Sequence, residues 1–201
     1  MADPESDLHQ WEERYRTTKV QELPWNAGGP DPDLARLVGS GRIPVGQALD
    51  LGTGPGHDAV YLIQQGFNVI AIDISPSAVK LARENASSKG LFGFFQQGDI
   101  RRIPVEDGFI DFVNDRGCFH VLTAEDRAKA AGEIYRVLRK KGLFLLRVFS
   151  DKEPLGDGPH RFTRKELEDT FQSKFKIVEF WEGQFEGPAK PKSYSMLMER
   201  K

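Results

Sequence analysis

The 201 residues are 39% hydrophobic, enough for one well-formed core and hence for a single domain over residues 1–201. With 28 basic and 30 acidic residues the formal net charge is −2, which argues against nucleic acid or a membrane surface and favours a small-molecule partner. The one cysteine and four scattered histidines predict no disulfide and no metal site, and the absence of a long apolar stretch or a signal-like N-terminus (segment 1–5) predicts a cytoplasmic protein.

Strand and helix signals alternate along the chain, which is the order of an α/β protein. Capping residues predict two helix starts, at Thr123 and at Thr163, and Gly142 is expected to end the first of these helices. In chain order the predicted elements are a helical N-terminus with a Pro/Gly-rich link, a strand at 47–51, a helix at 57–65, a strand ending at residue 73, a helix at 76–89, strands at 91–96 and 109–114, a helix at 124–141, a strand at 143–149, a helix ending near residue 171, and strands at 175–181 and 194–198.

The most informative segment is a glycine-rich loop that follows the first strand. Asp50 lies in that apolar strand, and glycines occupy alternate positions of the loop at 52–56. Glycine is needed where the backbone turns sharply and where a ligand lies against main-chain atoms. A dinucleotide fingerprint requires a third small residue where His57 stands, and the negative charge of Asp58 disfavours a pyrophosphate. The loop therefore predicts a cofactor other than a dinucleotide.

A second apolar run, at 66–73, ends in a carboxylate. Asp73 follows Gly54 by nineteen residues. In a βαβ unit, an acidic residue about twenty positions after the loop and at the tip of the second strand accepts hydrogen bonds from ribose hydroxyls. Ser75 and Pro76 already supply a cap and a first-turn residue for the next helix, so Asp73 is not needed there. We therefore expect Asp73 to bind a ribose.

Together these segments resemble motif I and the following ribose-binding strand of the class I S-adenosylmethionine-dependent methyltransferases. The resemblance implies methyl transfer, with S-adenosylmethionine as cofactor and S-adenosylhomocysteine as product. It also implies a three-layer, Rossmann-like α/β fold, in which a seven-stranded, mostly parallel sheet has its last strand antiparallel and helices on both faces. In the family, the position of Asp99 binds the adenine amine and that of Ile100 packs on the ring. The residues thus implied in cofactor binding are Asp50, Gly52, Thr53, Gly54, Gly56, Asp73, Ile74, Asp99 and Ile100.

Three further segments look like the thiopurine, thiol and tellurite-resistance branch of these enzymes. They are the motifs around Trp11 and Tyr15, around Trp25, and at 114–117. In that branch N-terminal aromatic residues close over the cofactor, which makes residues 1–40 a helical cap, and an arginine at the position of Arg116 helps to form the pocket. Electron-rich rings suit a sulfonium because of cation–π attraction. The alternative for Trp11 and Tyr15 is an amphipathic helix packed on the core. Tyr15 also stands where the branch often has a second tryptophan.

The implied reaction is in-line displacement at a methyl carbon, for which positioning supplies most of the catalysis. A thiol acceptor needs little help to ionise, whereas a hydroxyl acceptor needs a base. Asp115 and His120 are the candidate bases, although Asp115 has an alternative role as an anchor for Arg116 and His120 as a loop residue. Cys118 is given no catalytic role.

The segment 156–162 follows the fifth strand, and its glycines suggest a mobile lid. His160 and Arg161 are candidates for steering an anionic or polarisable acceptor, with solvated loop charges as the alternative. Phe119, Phe149 and Phe162 are candidates for lining an apolar acceptor site.

The leading hypothesis is therefore methyl transfer to a small, soft acceptor such as a thiol. A hydroxyl or amine metabolite as acceptor is the nearest variant. A non-catalytic cofactor-binding protein and, more distantly, a dinucleotide oxidoreductase are the remaining alternatives. The acceptor's identity and the oligomeric state are not readable from the sequence.

Overall fold

The computed structural model describes residues 4–154, 156, 158–187 and 189–201. The strands form a seven-stranded, mostly parallel sheet whose last strand is antiparallel, and helices accompany them, so the predicted fold class is confirmed. The chain divides into two compact units, the first comprising residues 1–100 and the second residues 101–201. The single-domain assignment stays a prediction. Within the described ranges, no helix combines the length and apolar character that crossing a bilayer requires. Residues 1–3 of the segment judged unlike a signal peptide lie outside those ranges.

The first unit carries three parallel strands in the spatial order β3-β2-β1. Leu51 pairs with Ile72, so β1 and β2 end at the same edge. The loop at 52–56 and Asp73 therefore emerge side by side, as the sequence predicts. The elements are α1 (Pro4–Thr17), a 3₁₀ turn (Val20–Glu22), α2 (Pro32–Gly39), β1 (Gln47–Leu51), α3 (His57–Gln64), β2 (Asn68–Asp73), α4 (Pro76–Ser87) and β3 (Phe94–Gln97).

The first unit differs from the sequence prediction at two places. Helix α2 occupies part of the expected Pro/Gly-rich link, because Asp31 caps it by accepting from Asp33 N (2.7 Å) and Leu34 N (3.3 Å), and Pro32 supplies the first turn. This combination of a capping Asp and a first-turn Pro was present in the sequence. Strand β3 begins at Phe94, three residues later than predicted, because residues 91–93 make no ladder with β2.

The second unit has the strand order β4-β5-β7-β6. Strands β4 and β5 are parallel, and β7 runs antiparallel to both of its neighbours. Thr163 and Glu166 form the predicted capping box in full. The elements are β4 (Ile110–Arg116), a 3₁₀ turn (Phe119–Val121), α5 (Ala124–Val137), β5 (Leu138–Phe149), α6 (Arg164–Phe171), β6 (Phe175–Gln184) and β7 (Lys192–Arg200).

The end of α5 is where the prediction for this unit is wrong. The helix stops at Val137 and Leu138 is already extended, so Gly142 lies inside β5 rather than at a helix end. An irregularity in the β4–β5 ladder accompanies this, and Lys141 has a φ of 62°. A Cβ on Gly142 would lie 2.8 Å from the Arg139 carbonyl oxygen, so the glycine is required by the kink in the strand.

Candidate cofactor and acceptor sites

The glycine loop of the first unit is left-handed at all three of its glycines. The φ angles are 62° at Gly52, 52° at Gly54 and 78° at Gly56. A Cβ on Gly54 would lie 2.8 Å from the Tyr15 hydroxyl oxygen, and one on Gly56 would lie 2.7 Å from the Cβ of Ala82. The alternate spacing thus reflects backbone conformation and close approach together, which only glycine satisfies at low cost.

Asp73 closes this loop onto the end of β2. Its buried carboxylate accepts hydrogen bonds from Gly54 N (3.0 Å) and Ser75 N (2.9 Å). Burial is the main cause that raises the pKa of Asp73 to about 6, with smaller contributions from the charges of Asp50 and Glu12, while the two backbone hydrogen bonds act in the opposite direction. The ribose-binding role of Asp73 stays a prediction, and the structure adds a role in shaping the loop.

The remaining predicted cofactor residues of this unit differ in exposure. Thr53 is buried, and its hydroxyl oxygen has no hydrogen-bond partner among the described residues. Asp50 and Ile100 are buried, whereas Ile74 and Asp99 are half-buried. The carbonyl of Ile74 accepts from Gln97 Nε2 at 3.1 Å, and contact of this residue with the cofactor stays a prediction.

The N-terminal aromatic residues form one cluster. Trp25 lies edge-on to Trp11, with ring centroids 5.4 Å apart, and edge-on to Tyr15, at 5.9 Å. Trp25 Nε1 donates to the Tyr15 hydroxyl at 3.0 Å. The same rings pack with Leu23 and Ala78, so the core-packing alternative for Tyr15 is also realised. Cofactor contact by the three rings stays a prediction.

Glu12 is a polar contact that the sequence analysis missed. Its carboxylate accepts from the hydroxyls of Ser75 and Ser77, each at 2.7 Å, and from Ser77 N at 3.0 Å. Partial burial acts to raise the pKa of Glu12, but the hydrogen bonds from Ser77 and Ser75 outweigh it and the pKa is lowered. Glu12 therefore fastens α1 to the first turn of α4, directly after Asp73.

We expect Glu12→Gln to weaken binding of S-adenosylhomocysteine by about tenfold, because an amide replaces charge-assisted hydrogen bonds worth about 1.5–3 kcal/mol. Calorimetric titration measures the affinity, and Glu13→Gln on the exposed side of the same helix is the matched control. Equal affinities of the two variants would show that fastening α1 does not matter for binding.

The two residues at the start of α3 that disfavour a dinucleotide have structural partners. His57 Nε2 lies 2.7 Å from Asn26 Oδ1, and the buried carboxylate of Asp58 accepts from Asp31 N at 2.6 Å. Both side chains tie the start of α3 to the N-terminal segment. Their presence at these positions therefore has a packing reason as well as the electrostatic one.

In the second unit, Asp115 organises the turn that follows β4. It is fully buried, and its carboxylate accepts from Cys118 N (2.9 Å) and Phe119 N (3.0 Å). Arg116 pairs with Glu186 at 2.8 Å, and the alternative role of Asp115 as an anchor for Arg116 stays a prediction. These contacts favour a positioning role for Asp115 over that of a base.

Arg116 and Arg147 are neighbours on β4 and β5 and share Glu186. Their Cα positions pair directly in the ladder, and Arg147 Nη1 lies 3.3 Å from Glu186 Oε1. Arg147 also donates to the Gln184 carbonyl and lies over the ring of Phe185 at 4.9 Å. Arg147 is a charged residue in an otherwise apolar part of β5, and no local sequence pattern pairs it with Glu186.

His120 is buried beside two half-buried aromatic rings. Its Nδ1 accepts from Phe149 N at 3.1 Å, and its ring centroid lies 4.8 Å from that of Phe149 and 5.8 Å from that of Phe185. Burial is the main cause that lowers the pKa of His120 to about 3, with a smaller effect from His160. The imidazole is therefore neutral, and its hydrogen lies on Nε2.

Three predicted acceptor contacts are placed differently from expectation. Phe119 lies in the core, fully buried against Phe162 and Phe171, so it lines no surface. Arg161 donates to the carbonyls of Pro154 (2.8 Å), Gly156 (3.2 Å) and Pro159 (3.2 Å), so its guanidinium holds its own loop. The exposed His160 lies 3.3 Å from Glu166. Asp157, in the middle of the predicted lid, lies outside the described residues.

Known proteins agree with these features. The methyltransferase-domain family matches residues 49–146. The 2-heptyl-1-hydroxyquinolin-4(1H)-one methyltransferase of Mycobacteroides abscessus is 30% identical over 84% of this chain and 77% of its own. The chain is a member of the methyltransferase family. Thiocyanate methyltransferase 1 of Arabidopsis thaliana is 28% identical over 75% of this methyltransferase and 64% of its own length.

A solved structure shows the same fold. The 1,6-didemethyltoxoflavin-N1-methyltransferase of Burkholderia thailandensis, solved with S-adenosylhomocysteine, has a TM-score of 0.77 and 22% identity, covering 100% of this methyltransferase and 92% of that chain. Membership of the methyltransferase family, together with its relatives, confirms the predicted cofactor, S-adenosylmethionine, and the predicted enzyme class in place of the oxidoreductase and non-catalytic alternatives. The residues present fit the cofactor, because the Thr53 hydroxyl is buried with no partner among the described residues and is thus available to a ligand.

Proposed function

We propose that this methyltransferase acts on a small acceptor whose nucleophilic atom ionises readily at neutral pH, with a thiol as the leading class. The observation that carries the proposal is the state of the two candidate bases. Asp115 is buried and accepts two backbone N–H groups, and His120 is neutral with Nδ1 accepting from the backbone. Neither is arranged to remove a proton from an acceptor of high pKa.

The bound cofactor supplies a methyl group on a positively charged sulfur, which is a good leaving group. The chain's own contribution is to hold the reactants, with the loop at 52–56, Asp73 and the N-terminal rings assigned to the cofactor. Well-oriented reactants gain up to about 7–11 kcal/mol from positioning, so a thiolate needs no further activation. Cysteine-like thiols have a pKa of about 8.5 and are partly ionised near neutrality.

The names of two relatives support two acceptor classes. One is named as a thiocyanate methyltransferase, which fits a soft sulfur acceptor, and the other is named for a 1-hydroxyquinolin-4-one, a heteroaromatic ring that carries a hydroxyl group. A readily ionised hydroxyl on a heteroaromatic ring is therefore the second candidate acceptor, and an amine metabolite remains the third. The cytoplasmic location and the expectations of no metal, nucleic-acid or membrane partner stay predictions.

A series of thiols and acidic phenols with graded pKa values tests this proposal. We expect kcat/KM to rise with pH until the acceptor's own pKa is passed, so that the midpoint moves from one acceptor to the next. The profile is measured by the release of S-adenosylhomocysteine. One common midpoint for all acceptors would reveal a base on the enzyme and contradict the proposal.

A further inference from the structure

Within the described residues of the second unit, the imidazole of His120 has a hydrogen-bond donor that no protein group uses. Because His120 Nδ1 accepts from Phe149 N, the neutral ring must present an N–H at Nε2. His120 as a whole is 6% exposed, but Nε2 is not among the fully enclosed side-chain atoms that lack a partner, and it makes no hydrogen bond within the described ranges. The donor therefore reaches accessible surface, where a ligand or water can accept from it.

The backbone approaches Nε2 closely at a glycine. Gly117 has a φ of 87°, and a Cβ there would lie 3.1 Å from Nε2 and 3.9 Å from the Phe185 ring. The glycine thus keeps a side chain away from the donor. Phe149 and Phe185 are half-buried, with ring centroids 5.3 Å apart, and so present partly accessible aromatic surface beside the imidazole.

Phe185 is held in place by charged neighbours. The guanidinium of Arg147 lies 4.9 Å above its ring, and the adjacent Glu186 pairs with Arg147 and with Arg116. The ring that follows β6 therefore packs against a guanidinium that is itself held by an ion pair. A preorganised ring of this kind loses little entropy when a flat ligand packs on it.

We propose that His120, Phe149 and Phe185, with Gly117, form the acceptor subsite, and that it selects planar heteroaromatic acceptors carrying a hydrogen-bond acceptor atom next to the nucleophilic atom. His120 is then a hydrogen-bond donor from Nε2 that orients the acceptor, rather than a base. The rings supply stacking and edge contacts to the planar part. This inference rests on the methyl transfer to a small acceptor proposed above.

The test compares three thiols. Pyridine-2-thiol is planar and has a ring nitrogen beside the thiol, benzenethiol is planar without one, and 2-mercaptoethanol is neither. We expect His120→Phe to lower kcat/KM for pyridine-2-thiol by about tenfold, the effect of one lost hydrogen bond, and to change benzenethiol by less than about twofold. His120→Gln keeps an amide donor and should restore most of the activity.

A matched pair of phenylalanine variants tests the aromatic part. Phe185→Leu should raise KM for both aromatic thiols by about tenfold and leave 2-mercaptoethanol unchanged. Phe180→Leu is the control, because Phe180 lies under Arg164 at 4.7 Å much as Phe185 lies under Arg147. Affinity for S-adenosylhomocysteine and the melting temperature should be alike in Phe185→Leu and the control.

Equal losses on all three thiols, or none on any, would overturn the subsite. If the wild-type protein methylates no thiol, the proposed acceptor class fails, and the subsite is judged by binding alone. The probe is then 2-(methylthio)pyridine, added to protein saturated with S-adenosylhomocysteine and followed by ligand-observed NMR. Binding that is lost in Phe185→Leu and kept in Phe180→Leu supports the subsite, and equal binding in wild type and Phe185→Leu overturns it.

Discussion

Replacing Asp73 by Asn should weaken binding of S-adenosylhomocysteine roughly a hundredfold or more, since two hydrogen bonds to a charged group are at stake. The carboxylate accepts from Gly54 N and Ser75 N through different oxygens. An asparagine offers one carbonyl oxygen and turns its NH₂ group towards the other donor, so the loop loses its shape. Calorimetric titration measures the affinity.

Asp31→Asn is the matched control for this change. Asp31 also accepts two backbone N–H groups, but as the cap of α2, where Asn serves equally well. We expect its affinity and its melting temperature to match those of the wild type. If Asp73→Asn bound S-adenosylhomocysteine as tightly as Asp31→Asn does, the assignment of the cofactor site to the end of β2 would be wrong.

The same carboxylate predicts a pH dependence. Burial raises the pKa of Asp73 from 3.8 to about 6 in the folded chain. A raised pKa means that the group's contribution to folding is fully present below pH 3.8 and is lost as the pH rises through about 6. The deprotonated form is the better hydrogen-bond acceptor, so affinity for S-adenosylhomocysteine should increase over this same range. The melting temperature with and without the ligand, from pH 5 to about 7.5, measures both trends.

The second large effect is expected for Gly54→Ala. Alanine at a φ of 52° costs about 1–2 kcal/mol, and its Cβ would lie 2.8 Å from the Tyr15 hydroxyl oxygen. Tyr15 must then move, together with Trp25, which donates to it. We expect a loss of affinity for S-adenosylhomocysteine of about tenfold or more, and a lower melting temperature.

Gly28→Ala separates backbone strain from the contact with Tyr15. Gly28 has a φ of 71°, and a Cβ there meets nothing within 4 Å. It should lose stability to a similar degree and keep its affinity. Loss of affinity by both variants alike would mean that general destabilisation, and not the approach of Tyr15 to the loop, explains the result.

Local sequence signals predicted most of the secondary structure. Capping at Thr123 and Thr163 predicted where α5 and α6 begin, and the apolar run at 47–51 predicted β1 with its observed bounds. Such features depend on neighbours within four positions. The prediction that Gly142 ends a helix was wrong, because a glycine near a helix end and a glycine inside a kinked strand look alike in sequence. Only the pairing of Leu138 with Ile110 distinguishes the two cases.

The site residues also divide into those that the local sequence predicts and those whose contacts it does not. Asp73 could be predicted because the chain spacing of a βαβ unit fixes where it lies. Glu12 contacts Ser75 at a sequence separation of 63 residues, and Glu186 contacts Arg116 at a separation of 70 residues. No local sequence pattern predicts either pair. Phe119 and Phe149 illustrate a second limit: both are aromatic residues near strand ends, yet one is core and the other is half-buried, which packing decides.

Transfer of a labelled methyl group tests the central claim most directly. The wild-type protein is incubated with S-adenosylmethionine carrying a deuterated methyl group and with pyridine-2-thiol, and the products are identified by mass spectrometry. The account predicts the deuterated methyl group on the acceptor's sulfur and an equimolar amount of S-adenosylhomocysteine. S-adenosylhomocysteine formed without a methylated acceptor, or no transfer to any thiol or acidic hydroxyl in the series, would contradict it.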